Sequence, residues 1–236
     1  PPRRNGADVD LWLIDPSNPA SDRLLAEMNG GGWSALDFSP YDRQLLVRQA
    51  VSVNESRLWL VDLATGDRTP ITPTDDSEPV AYADAEFAPD GSALYVTTDR
   101  DSEFHRLARF DLATRQHTYL TTHLPWDVSS FALSWDGKTV AFVTNEDGVS
   151  VLRLLDTATG KERSAPRLPA RGILSGLRWH KNNRDLGFTL SSARSPSDVY
   201  SLDVDTGVVD RWTYSETGGI NPAAFVEPQL VRVPSF

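Results

Sequence analysis

Two short stretches of the chain, Leu94-Tyr95-Val96 and Val140-Ala141-Phe142-Val143, are apolar at every position, as expected of strands buried on both faces. Other apolar runs stop at an Asp. Val61-Asp62-Leu63-Ala64-Thr65-Gly66 is the clearest, with looser copies at Phe110 to Arg115, Leu155 to Gly160 and Leu202 to Gly207. In each copy a Thr follows the Asp by three residues and precedes Gly, or Arg in the second copy. This is hairpin chemistry: the carboxylate accepts N–H bonds inside the turn and Gly supplies a left-handed residue. Arg115 in the Gly slot is expected to cost about 1 kcal/mol.

A second marker precedes each copy. Ser39-Pro40-Tyr41-Asp42, Ala88-Pro89-Asp90-Gly91, Ser134-Trp135-Asp136-Gly137 and, more loosely, Trp179-His180-Lys181-Asn182-Asn183 predict corner turns between a first and a second strand. The positions before them, Phe38, Phe87, Leu133 and Arg178, advance by 49, 46 and 45 residues, and the turn aspartates advance by 49, 45 and 47. Four short strands in a period in the mid-forties, with no helical pattern between, predict blades of an all-β, β-propeller fold.

The first unit has strands expected at Ser34 to Ser39, Leu45 to Val51, Arg57 to Asp62 and Arg68 to Ile71. Four full four-stranded blades follow from the period: 34–77, 82–126, 128–172 and 173–219, together 34–219. Residues 1–33 read as a half blade and connector, with strands at Asp8 to Asp15 and Arg23 to Met28. Pro16, Ser17, Asn18 and Pro19 mark the turn between them. Gly30-Gly31-Gly32 reads as a flexible connector, because no Lys-Ser or Lys-Thr follows to make a phosphate cradle. A half blade needs partner strands, and the proline-bearing tail does not resemble them. Either the tail closes a five-bladed ring imperfectly or blades are missing upstream; the second is the expectation, a partial propeller whose parent has seven or eight blades.

Composition narrows the chemistry. Among 236 residues, 33 acidic side chains against 23 basic ones give a net charge of −10, which argues against a nucleic-acid partner. No Cys is present, so no disulfide or thiolate metal site exists; cytoplasm and periplasm both stay open. No run of about 18 apolar residues predicts a membrane span. The opening Pro1-Pro2-Arg3-Arg4 has neither Met nor an apolar signal core, so the native amino terminus is expected to lie upstream.

Catalytic motifs are absent from these residues: no Gly-x-Ser-x-Gly and no His-Glu-x-x-His occurs. No catalytic residue, metal site or cofactor is expected in this chain. His105, His117, His123 and His180 fall at different repeat positions, and His117 with His123 is expected on one exposed edge hairpin. Asn145-Glu146-Asp147-Gly148 and Asp75-Asp76-Ser77-Glu78 read as solvated turns without calcium-loop spacing. The basic set Lys161, Arg163, Arg167, Arg171 and Arg178 reads as a solvated face, or one that meets an acidic neighbouring domain. A propeller glycosidase or lyase would need converging carboxylates, and no spaced set stands out.

The loop Thr97 to Arg106 carries five charges. It reads either as a hairpin paired internally, Arg100 and Arg106 against Asp101 and Glu103, or as a rim that a charged peptide end touches. Arg100, Asp101 and Glu103 are the candidate substrate-binding residues.

Ser134 to Val143 is similar to the blade signature shared by the prolyl oligopeptidase family and the Tol-system periplasmic propeller. Asp99 to Thr114 resembles more narrowly the acylaminoacyl- and dipeptidyl-peptidase-like members of that family. The tail, Asn221 to Phe236, resembles the hinge from propeller to hydrolase in that family, with Leu230 to Val233 as the opening strand of the catalytic domain. The resemblance implies that residues 220–236 lead to an α/β-hydrolase domain carrying a Ser-Asp-His triad, and that the propeller gates the access of peptide substrates. The rival expectation is a self-standing Tol-like propeller that serves as a protein interaction module.

Overall fold

The computed structural model describes residues 4–6, 8–73, 78–164 and 166–234. Its strands, in chain order, form five antiparallel sheets, none of them closed on itself. β1 (Leu11–Asp15) pairs with β2 (Asn18–Ala26), Asp15 opposite Asn18. Pro19, expected in the turn, instead lies inside β2. A two-stranded sheet consists of edges, where the missing N–H of proline can face outward without loss.

The first four-stranded sheet is β3 (Trp33–Phe38), β4 (Gln44–Ser52), β5 (Glu55–Asp62) and β6 (Arg68–Pro70). The second is β7 (Tyr82–Phe87), β8 (Ala93–Thr98), β9 (Arg106–Asp111) and β10 (His117–Tyr119). The third has three strands, β11 (Val128–Leu133), β12 (Thr139–Glu146) and β13 (Val149–Asp156). The fourth is β14 (Ile173–Trp179), β15 (Asp185–Ser192), β16 (Ser195–Asp203) and β17 (Val209–Arg211). Each pairs its strands in sequence order, as a meander blade requires.

One blade thus departs from the expected four strands. In the third sheet the last strand shrinks to a bridge between Leu155 and Glu162, with the Arg163 N–H on the Leu154 carbonyl at 2.8 Å. The chain then meets Pro166 and Pro169, which have no N–H to give to a ladder.

The hairpin turns behave as the sequence predicts. One oxygen of Asp62 accepts the N–H groups of Ala64 and Thr65 at 2.8 and 2.9 Å, and one of Asp203 accepts those of Asp205 and Thr206, both at 3.0 Å. Asp111 does the same for Ala113 and Thr114, and Asp156 accepts from Thr159. These bonds favour the ionised form and lower all four carboxyl pKa values. The next residue in each turn is left-handed: Gly66, Arg115, Gly160 and Gly207 have φ of 78°, 61°, 66° and 75°. Gly66 is required twice over, since a Cβ there would lie 2.2 Å from the Leu25 carbonyl oxygen.

The chain falls into two compact units, Pro1–Pro125 and Trp126–Phe236. In the first, Leu46, Leu58, Tyr82, Leu94, Val96, Ala108 and Phe110 make one core cluster, and Met28, Leu45, Val47 and Val61 belong to another. In the second, Ala141, Val143, Leu152, Leu154, Trp179, Leu186 and Phe188 pack together. All of β8 is buried, as are the first six residues of β12, which accounts for the unbroken apolar runs 94–96 and 140–143 within them. Each buried Leu or Phe contributes about 1.5–3 kcal/mol of transfer free energy.

Candidate functional site

Tyr82 opens β7 with its side chain fully buried, and its hydroxyl sits where three elements converge. Arg100, in the loop after β8, donates from Nε to the Tyr82 hydroxyl at 3.1 Å; His117 Nε2, on β10, lies 3.2 Å from the same oxygen. Arginine can only donate, so the Tyr82 hydroxyl accepts there, and the imidazole tautomer sets the direction of its bond with His117 Nε2. Burial, and then the Arg100 charge, push the His117 pKa down to about 4, with Asp101 opposing.

Tyr119, two residues on and therefore on the same side of β10, completes the group. Its hydroxyl lies 2.9 Å from Asp101 Oδ2 and 3.0 Å from the Arg100 carbonyl, and its ring stacks on His117 at 6.0 Å. Burial and the Asp101 bond raise the Tyr119 pKa. Phe110 packs its ring 4.7 Å from His117. The pair of histidines is thus split: His123 is exposed, whereas His117, though on an edge strand, faces inward and is half-buried. The period of two in His117-Thr118-Tyr119 carries that information.

Arg100 and Asp101 line a depression of about 530 Å³ together with Ile71, Phe110, Arg115 and His117. Arg100, Asp101 and Glu103 share a second depression of about 560 Å³ with Glu78 and Asp99. All three sequence-predicted site residues therefore border open space. Asp101 adopts a left-handed φ of 58°, stabilised by the bond its carboxylate makes to Tyr119. The Nε of Arg106 is buried without a hydrogen-bond partner among the described residues. Sequence reasoning missed Tyr82, His117 and Tyr119, which come from β7 and β10, the outer strands of that sheet.

A second polar centre pins the end of the fourth sheet. Asp198, fully buried, accepts from Arg211, Ser195 Oγ, Thr213 Oγ1 and the Ser215 N–H. Burial works against its charge, but these bonds outweigh it and its pKa falls. Every contact is internal, so its role is to fix residues 211–215. Among the described residues no group of three His, Asp or Glu side chains is placed to hold a metal ion, and no helix is long and apolar enough to cross a membrane. Asp75 to Ser77 of the acidic turn lie outside the described residues.

Repeated antiparallel meanders, registered by the same two turns in each copy, define blades of a β-propeller. Residues 15–214 match the family described as prolyl oligopeptidase, N-terminal β-propeller domain, and the chain belongs to that family. It is 27% identical over 200 residues to the prolyl endopeptidase of Elizabethkingia meningoseptica, covering 82% of this chain and 26% of that protein. It is 24% identical over 211 residues to the dipeptidyl aminopeptidase BIII of Pseudoxanthomonas mexicana, covering 84% and 29%. The chain therefore spans between a quarter and a third of these relatives. Among solved structures, a puromycin hydrolase superposes with a TM-score of 0.73 at 24% identity, covering 89% of this chain and 33% of that one. TolB from Acinetobacter baumannii superposes at 0.69 and 18%, covering 88% and 49%. These likenesses speak for the fold.

Proposed function

We propose that this chain is the substrate-gating propeller of a serine peptidase, working beside an α/β-hydrolase domain of the same parent chain. Membership of the N-terminal propeller family carries the reading. In it, residues 34–77, 82–126, 128–172 and 173–219 are blades and 220–236 form the hinge. The tail suits a linker: among its described residues the only regular element is the short turn Pro222–Ala224, and Val226, Leu230, Val231 and Val233 are exposed.

A propeller gates by size. Its blades are rigid sheets, so a peptide or an unfolded end passes where a folded domain does not. The loop bearing Arg100, Asp101 and Glu103 supplies charges of both signs for a peptide end. The test begins with the reading frame beyond Phe236. Gly-x-Ser-x-Gly followed by Asp and then His within roughly 250 residues, an ordinary domain length, supports the reading. A frame that ends shortly after Phe236 sinks it. The likeness to TolB favours, in that event, an interaction module without chemistry, for which a stable complex recovered with a partner protein is the test.

A further inference from the structure

The repeat prescribes glycine after each turn Thr, and one blade refuses it. Arg115 holds φ 61° in that slot, where a side chain costs about 1 kcal/mol. A left-handed residue with a large side chain asks what that side chain does. Its Nη1 donates to the Pro70 and Ile71 carbonyls at the end of β6. Nε and Nη2 hold further donors, and among the described residues Arg115 makes no ion pair. It borders the 530 Å³ depression, whose wall includes the exposed Pro70 and Pro73 and the half-buried Tyr119 ring as well as His117. Asp101, the carboxylate on this wall, already accepts from Tyr119.

We propose that this depression binds a carboxylate carried on an apolar body, with Arg115 as the cation that receives it and Pro70, Pro73 and the Tyr119 ring as the surface that takes the body. A guanidinium whose Nε and Nη2 have no partner among the described residues matches a carboxylate in two parallel charge-assisted bonds. Arg100 adds positive charge on the same wall while its Nε stays on Tyr82. The site needs only the first two four-stranded sheets and stands whether or not a hydrolase domain accompanies them. Such a carboxylate comes from a peptide carboxyl terminus or from a small free acid.

Calorimetric titration of the protein with N-acetyl-phenylalanine, its primary amide, and the tripeptide acid Ala-Ala-Phe separates the cases. The acid binds saturably and the amide at least about tenfold more weakly, the worth of one charge-assisted bond. A tripeptide acid that binds more tightly than the acetylated residue identifies a peptide terminus as the source; equal affinities identify a small acid. Arg115→Gly restores the repeat's own residue, so it keeps the thermal midpoint within a few degrees and loses about tenfold or more in acid affinity. Arg115→Lys, which keeps the charge without the fork, retains an intermediate affinity. Equal binding of acid and amide, no saturable binding of either acid by millimolar concentrations, or an unchanged affinity in Arg115→Gly overturns the site. In the last case Arg115 is a brace between sheets and nothing more.

Discussion

The second and third sheets are built on one plan and finish differently. Both open with a bulged first strand, turn a corner onto a second strand whose first six residues are buried, and close the third strand with Asp-x-x-Thr. In the second sheet β10 then pairs with β9, and Thr121 Oγ1 beyond it accepts the Leu107 N–H at 3.0 Å. The same bond recurs from Leu58 to Thr72 and from Val199 to Thr213, each at 2.9 Å and each across 14 residues. In the third sheet the residue 14 beyond Leu152 is Pro166, which has neither hydroxyl nor N–H, and the ladder stops at one bridge. A blade's outer edge is therefore fixed by a single well-placed hydroxyl after a short strand. Where that hydroxyl is lost, the edge is left to side chains: Arg153 joins Glu146 and Glu162 at 2.7 and 2.8 Å.

The largest expected effect on this comparison comes from making the second sheet resemble the third. Thr121→Val removes the acceptor of a buried N–H and should destabilise the protein by about 1–3 kcal/mol. A denaturation midpoint equal to that of the unaltered protein would show that the hydroxyl does not secure the edge.

Acid should also separate the two sheets, because only the second carries a half-buried histidine. His117 titrates near 4 when folded and near 6.5 when unfolded. Between those values the unfolded chain holds a proton that the folded one lacks, so stability falls as pH drops from 6.5 towards 4 and levels below. Allowing for solvent screening of a half-buried ring, the change is about 1–2 kcal/mol. His117→Gln should flatten the pH dependence across that window relative to the unaltered protein; parallel curves would mean the ring is solvated.

Gly160→Val probes the third sheet's turn, where open space leaves only the left-handed backbone to object. A loss of more than about 1 kcal/mol is expected, with guanidinium denaturation as the readout. The smallest effect belongs to Pro166→Thr. If the missing hydroxyl is what shortens the third sheet, this change should add about 0.5–1 kcal/mol and protect the Leu152 amide from hydrogen exchange. Exchange at an unaltered rate would place the cause elsewhere in the 164–172 segment.

What could be read from the sequence follows the distance over which each device acts. The turn aspartates, the left-handed slot, Arg115 in it, and the buried runs of β8 and β12 are local, and the residues name them directly. The Thr72, Thr121 and Thr213 caps escaped notice because each partner N–H lies 14 residues back, and a Thr just past a short strand looks like ordinary turn composition. The third sheet's missing strand was legible in principle from Pro166 and Pro169, but the period alone promised four strands. The loop from Arg100 to Glu103 stood out by its charge. Its attachment to Tyr82, His117 and Tyr119 did not, since that depends on which face of β7 and β10 turns inward.

The most direct test of the gating account is a size profile of the full-length parent. Cleavage is compared for one peptide sequence presented free, as a flexible tail on a folded carrier, and inside a loop of that carrier. The account predicts cleavage of the free peptide and slower cleavage of the tail, with the loop spared while the carrier is folded and cut once it is unfolded. Equal rates for the loop and the free peptide would contradict it, because a propeller that admits a folded carrier excludes nothing.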